Sequence, residues 1–456
     1  MSVISKAVFT GRGATRALPW GHQPSGRTKP TSMIADGHPG AKTRTPADYR
    51  VEVVQDWAAF APVWSAMGTE AVTGPFQHRF WLDAWYGAFA SAQEIEPRII
   101  VARDRADGRL AVALPLIVRS RRGLRIAQFA DCDLTDYNAP LLGPAAPDDE
   151  VGAERLWRAL VAAGLDDVDF VELKKMPVAL GGRPNPLALL PYVARCAVDG
   201  NIVTTGDDYD AWRHSRGRSA RKDLERCWRV FMRHENAAFR RITDVDEALD
   251  TLAVMERQQS SRMTELGQVY ILDRSGPRTF YRELIASGLG SGDVVMTALA
   301  CNGDVIAALL GIRDAARFVM IRISHAGAAW SNCSPGRLVI ERSMAHLHGV
   351  GCREFDFGIG DYDYKRRFGV DTIPLVDNVT ALNWRALPSA TRSGAVQWLR
   401  RHPELDRLAR RWFAGRRAAA RRSPEGAVAP PSVGAMNGRP TPARLLASSE
   451  TPPALC

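Results

Sequence analysis

The chain has 456 residues, 46% hydrophobic and 24% charged, and a formal net charge of +10. That charge sits at the ends: residues 1–47 carry +6 and 400–422 carry +7, which leaves −3 for 48–399 and argues against a general nucleic-acid grip by the folded core. No run approaches the ~18 apolar residues of a membrane span, and cysteines 132, 196, 227, 301, 333, 352 and 456 show no C-x-x-C spacing, which excludes a zinc or disulfide framework and fits a reducing cytoplasm.

Residues 1–47, rich in Gly, Pro, Ser, Thr and Arg, read as a disordered tail without the apolar segment of a secretory signal. Tyr49–Val54 predicts a strand and Asp56–Met67 a helix. His78–Ala90 is a helix whose Trp81, Trp85 and Phe89 share one face, better explained by core packing than by ligand stacking. Arg98–Arg103 and Leu110–Val118 are strands joined through Asp107-Gly108. The next loop crowds together Asp131, Asp133, Asp136 and Tyr137, for which turn chemistry and substrate contact across a cleft both fit. A helix at Glu154–Gly164 and a strand at Asp169–Leu173 complete a first half, 48–175. A proline-rich linker, 176–207, follows.

The second half spans 208–385. Asp208–Glu235 predicts a helix with Arg218, Lys222, Arg226, Arg229 and Arg233 on one face and Leu224, Trp228 and Phe231 turned to the core. The stripe is either a solvated face or an electropositive rim for an anionic substrate. Asp246–Met263, carrying Glu256 and Arg262, and Phe280–Gly288 are helices. Val294–Ala300 and Val305–Ile312 are joined by Asn302-Gly303, the strand, turn, strand design of residues 98–118 again, which signals an internal duplication. Strand Arg317–Ser324 leads past His325 to a polar loop and the helix Leu338–His348. Ser334 suits its N-cap, Pro335 its first position and Gly349 its stop. Free amides at such an N-terminus favour an anion. In Arg353–Gly369, REFDFGIGDYDYKRRFG, a short strand opens at Gly358 and Gly360 into a polar loop. Asp377–Trp384 predicts a closing strand. Basic helices at 386–422 bear an apolar stripe that packs on the domain or lies on an anionic membrane, and 423–456 is a second disordered tail. Nine histidines show no metal-binding spacing.

The run SPGRLVIERSMAHLHGVGCREFDFG and the following DYDYKRRFG resemble the acetyltransferase-like domain of CelD-type proteins, a group within the GNAT superfamily related to FemAB-type aminoacyltransferases. The resemblance covers residues 50 to 385 and is more specific in the second half. It implies an α+β, sandwich-like fold: tandem GNAT-like halves whose mixed, mostly antiparallel sheets are flanked by helices. It also implies that Ser334, Pro335, Gly336 and Arg337 hold the pyrophosphate of acetyl-CoA or another acyl-CoA, with no metal. A G-x-x-x-Y-K-x-x-[FW]-G signature matches Gly360, Tyr364, Lys365, Phe368 and Gly369. The pyrophosphate loop departs from the family in carrying one glycine where more are usual. The implied activity is transfer of an acyl group to a small or glycan-linked amine in polysaccharide or cell-envelope biosynthesis. The rivals are a FemAB-like enzyme using aminoacyl-tRNA and a non-catalytic accessory protein of exopolysaccharide production. The expected location is cytoplasmic, peripheral at the inner membrane if 400–422 binds lipid, with no DNA partner.

Acyl transfer requires an amine to lose its proton, the thioester oxygen to be stabilised and the thiolate to leave. Tyr364 and Lys365 are candidates for the last two roles, and Asp361, Glu256 and His325 for proton acceptor. Asp356, Asp363, Arg218, Lys222 and Arg262 are candidate substrate ligands. With no nucleophilic triad in view, direct attack on the thioester is expected.

Overall fold

The computed structural model describes residues 48–391 apart from 93, 268, 269, 271, 273 and 390, so both predicted tails and the membrane-contact segment 400–422 lie outside the described residues. In chain order the first half supplies β1 (Tyr49–Val54), α1 (Trp57–Gly68), α2 (Arg79–Phe89), β2 (Ile95–Asp104), β3 (Leu110–Arg121), β4 (Leu124–Phe129), β5 (Leu141–Leu142), α3 (Glu150–Gly164) and β6 (Phe170–Pro177). The connection holds β7 (Ala179–Leu180), β8 (Arg183–Pro184), β9 (Ala194–Arg195) and β10 (Gly200–Thr204). The second half supplies α4 (Tyr209–Ser215), α5 (Arg218–Phe231), β11 (Ala238–Ile242), α6 (Val245–Glu265), α7 (Ser275–Gly288), β12 (Val294–Cys301), β13 (Asp304–Asp314) and β14 (Arg317–His325). It ends with α8 (Pro335–Gly349), β15 (Glu354–Ile359), α9 (Asp363–Phe368), β16 (Asp371–Ile373) and β17 (Leu375–Ala381).

The two halves repeat one topology. The first sheet runs β1-β2-β3-β4-β6-β17-β9 and the second β11-β12-β13-β14-β15-β10-β16. Each is antiparallel except where a helix crosses over: β4 pairs β6 in parallel, and β14 pairs β15 in parallel. This is the α+β architecture expected from the tandem resemblance. The strand beside each parallel pair comes from outside its own half. β17, expected to close the second half, lies antiparallel to β6 in the first sheet, and β10, from the expected linker, lies antiparallel to β15 in the second. The exchange ties the halves into one compact unit.

Helix packing reinforces that tie. Trp81, Trp85 and Phe89 of α2 are buried, and Trp81 meets Phe280 of α7 edge to face at 4.8 Å. A Cβ at Gly276 would run into the Phe89 ring, so α7 approaches α2 closely because residue 276 has no side chain. One predicted helix is broken. Residues 208–235 form α4 and α5, separated at Gly217, whose φ of 81° is left-handed. On α5, Phe231 and Cys227 are buried and Leu224 and Trp228 partly so, while Arg218, Lys222, Arg226 and Arg229 are exposed, as is Arg233 in the turn after it. Among the described residues no helix is long and apolar enough to cross a membrane.

Candidate functional site

β14 and β15 pair only from Arg317–Val319 to Glu354–Asp356 and then diverge, so β14 beyond Val319 has no strand on its β15 side. Where they part, β15 reaches Gly358 and Gly360, with φ of 69° and 95°. Just before them stands the buried Asp356. Its Oδ1 accepts from the Tyr137 hydroxyl at 2.7 Å and from the Gly358 amide at 2.6 Å, and its Oδ2 pairs with Arg317. Tyr137 belongs to the first half, so Asp356 pins the two halves together. Both its oxygens are engaged.

Lys365, on α9, is fully buried and donates to the carbonyls of Gly358 at 3.0 Å and Ile359 at 2.8 Å. Burial pulls its pKa down to about 8 from the usual 10.5, against the pull of Asp136, Asp356 and Asp361. Between about pH 8 and 10.5 the unfolded chain holds a proton that the folded chain has lost, so this residue's contribution to stability rises with pH through that window. Urea unfolding at pH 7.5 and pH 9.5 should show the wild-type midpoint rising relative to that of Lys365→Met; parallel pH trends in the two proteins would contradict it.

The carboxylate of Asp136 lies over the same strand end. Burial pushes its pKa up to about 6, opposed by Lys175 and Lys365. The phenols of Tyr281, Tyr362 and Tyr364 are raised by burial and, more weakly, by the charge of Asp136.

A groove of about 640 Å³ opens beside α9, lined by Arg216, Arg218, Arg337 and Arg367 with Asp223 and Phe368 among its walls. Arg337, in the first turn of α8, donates to Asp223 Oδ2 at 2.6 Å and Ser334 Oγ at 3.2 Å. Arg216 donates to the carbonyls of Phe368 and Gly369 at 3.0 and 3.2 Å and leaves its Nε unpartnered. The helices that follow the corresponding strands of the two halves begin differently. The N-cap Asp149 of α3 covers its own amides, accepting from Gly152 N at 2.8 Å. Ser334 before α8 is left-handed, φ 48°, and makes no side-chain cap. The helix start of the second half thus lacks the side-chain cap that the first half has. Pro335 and Gly336 are buried, and Arg337 is the member of the predicted loop that reaches the groove.

Behind β14 the fully buried Arg322 donates to Gln259 Oε1 at 2.5 Å and Tyr270 Oη at 2.7 Å and stacks on Tyr281 at 4.5 Å. Its Nη1 lies 3.9 Å from Glu256, which also faces Arg278 at 3.8 Å.

The candidates named from sequence fall into separate places. Tyr364 and Lys365 are buried together on α9, and neither lines the groove that Phe368 of the same helix does. Asp361 and Asp363 are exposed and share Arg366. His325 contacts the Ala326 carbonyl through Nδ1 at 2.9 Å, and Arg262 pairs with Glu265 at 3.1 Å. Lys222 is exposed on α5, while Arg218 lines the groove. Arg216, Arg367, Arg317 and Arg322 were not singled out from sequence. The only signal for Arg367 is its place within the Y-K-x-x-F-G signature; isolated strand arginines give none. Among the described residues no His, Cys, Asp and Glu group could hold a metal.

Residues 218–366 match the family model described as an acetyltransferase (GNAT) domain. Among solved structures, the chain is similar to FemX, at 11% identity and a TM-score of 0.50, over 72% of this chain and 97% of that one. A conserved protein of unknown function from Bacteroides thetaiotaomicron VPI-5482 matches at 10% identity and a TM-score of 0.44, over 73% of this chain and 100% of that one. A tandem GNAT protein from the clavulanic acid biosynthesis pathway matches at 12% identity and 0.38, over 73% and 99%. No curated protein matches the chain. At such identities likeness speaks to fold alone. Residues 218–366 thus resemble a GNAT-type acetyltransferase domain, in a chain whose overall fold is similar to that of FemX.

Proposed function

We propose that the chain is an N-acyltransferase that takes its acyl group from an acyl-CoA and gives it to a small or glycan-linked amine. The observation that carries this reading is the groove where Arg216, Arg218, Arg337 and Arg367 converge at the start of α8. Four guanidiniums and an uncapped helix start suit a pyrophosphate, since each charge-assisted contact is stronger than a neutral one. Arg337 and Arg367 would bind the phosphates. The unpaired edge of β14 beyond Val319 would hold the extended thioester arm by backbone hydrogen bonds. Lys365 fixes the end of β15, on which the reacting carbonyl would lie, through its two carbonyl contacts.

The exposed row of Arg218, Lys222, Arg226, Arg229 and Arg233 supports a second reading, in which the donor is an aminoacyl-tRNA gripped by its phosphates. The experiment offers the purified protein acetyl-CoA or a mixed aminoacyl-tRNA pool, each with a panel of amines. Thiol release that depends on the amine is the expected result. Deacylation of tRNA with no thiol release would favour the second reading, and neither reaction would mark the domain as an interaction module.

A further inference from the structure

We propose that Asp136, carried by the first half, is the base that takes the proton from the acceptor amine; this rests on the acyltransferase reading above. The loop between β4 and β5 delivers Asp136 to the end of β15, where its Oδ2 accepts from the Ile359 amide at a long 3.4 Å. Gly358 exists for this approach: its φ is left-handed, and a Cβ there would overlap the Asp136 carboxylate.

Around Asp136 the other charged groups are committed. Asp356 is held by Tyr137, Arg317 and the Gly358 amide. Lys365 spends its contacts on two carbonyls. Lys175 of β6 pairs with Asp131 at 2.6 Å and donates to the Thr135 carbonyl at 2.5 Å. Asp136 is left with its single long contact and is partly open to solvent. Burial sets its charge first, with Lys175 and Lys365 favouring the carboxylate and Asp356 opposing it, and Asp136 in turn raises the phenols of Tyr281, Tyr362 and Tyr364.

Its mounting is strained. Cys132, Asp133 and the facing Lys175 all have left-handed backbones, with φ of 46°, 60° and 59°. Non-glycine residues held this way each cost about 1–3 kcal/mol and cluster at functional sites. The other acids fit less well. Asp361 and Asp363 share Arg366 at the surface, and Glu256 faces Arg322 and Arg278.

In the step assigned, the acceptor ammonium gives one proton to Asp136 and its freed lone pair attacks the thioester carbonyl carbon. The C–S bond then breaks with its electron pair on sulfur. The second nitrogen proton goes to that thiolate and Asp136 returns its proton to water, so the products are an amide, a thiol and one proton.

The test uses full-length protein, acetyl-CoA as donor, and two amines that differ in charge at pH 7, cationic propylamine and neutral hydroxylamine. Asp136→Asn should lower kcat/KM for propylamine by about 10²–10⁴-fold. It should also abolish the acid limb near pH 6, spare hydroxylamine to within about tenfold, and leave acetyl-CoA affinity unchanged by calorimetry. Asp136→Glu, which keeps a carboxylate, should retain an acid limb at a shifted pH, and it decides the matter if the Asn variant fails to fold. Equal losses with both amines, or an unchanged acid limb in either variant, overturn the assignment while donor binding stands. A wild-type protein that does not bind acetyl-CoA, or acylates neither amine, overturns the acyltransferase reading and the assignment with it.

Discussion

Asp356→Ala is expected to cost about 3–5 kcal/mol of stability, the range for removing one partner of a buried ion pair. The carboxylate is fully buried and Arg317 mostly so, and the substitution leaves that guanidinium without its counter-charge. It also orphans the Tyr137 hydroxyl and the Gly358 amide. Tyr137→Phe removes one hydrogen bond to a charged acceptor and should cost about 1.5–3 kcal/mol. The double variant should lose less than the sum of the two, because they share one network. Urea unfolding followed by tryptophan fluorescence and by far-ultraviolet circular dichroism gives the readout. Because β17 of the second half completes the first sheet and β10 of the connection completes the second, both probes should report one transition in every variant. A first half that stays folded while the second melts would contradict the exchanged-strand account.

Charge reversal in the groove should have the largest effect on donor binding. Arg367 is exposed and lines the groove, so Arg367→Glu replaces an attractive contact with repulsion and should weaken acetyl-CoA binding by about 100-fold. Arg337→Ala should cost about 10-fold or more, since it loses one charged contact and also leaves Asp223 facing the site with Arg226 alone as its partner. Arg337 and Arg226 hold the Asp223 carboxyl below its usual range although burial opposes them, so that residue stays anionic when Arg337 is gone. Isothermal titration at low and moderate salt is the measurement. Affinities within threefold of wild type for both variants would move the donor elsewhere.

Local chemistry was legible in the sequence. Ser334, Pro335 and Gly349 marked the limits of α8, which runs Pro335–Gly349. Asn302 and Gly303 have φ of 50° and 86°, the two left-handed residues of a tight hairpin turn, and Gly108 at 74° serves the matching hairpin of the first half. The shared design read from those turns is the duplication seen in the sheets. The strand exchange was not legible, because the alternation of β17 is the same whichever sheet receives it. Gly217 looked like a tolerated glycine inside a basic helix; only its left-handed φ reveals the break that lets Arg216 and Arg218 turn into the groove. Asp136 stood among four polar loop residues that turn chemistry explained equally well. Its meaning comes from Gly358 and Ile359, far along the chain, which local pattern cannot join to it.

Hydrogen exchange with and without acetyl-CoA tests the placement of the donor most directly. Saturating acetyl-CoA is expected to slow exchange over residues 216–224, 334–338 and 363–369, the segments that wall the groove and begin α8. Arg367→Glu should abolish this protection at the same donor concentration. Protection confined to other segments, or none at millimolar acetyl-CoA, would contradict that placement.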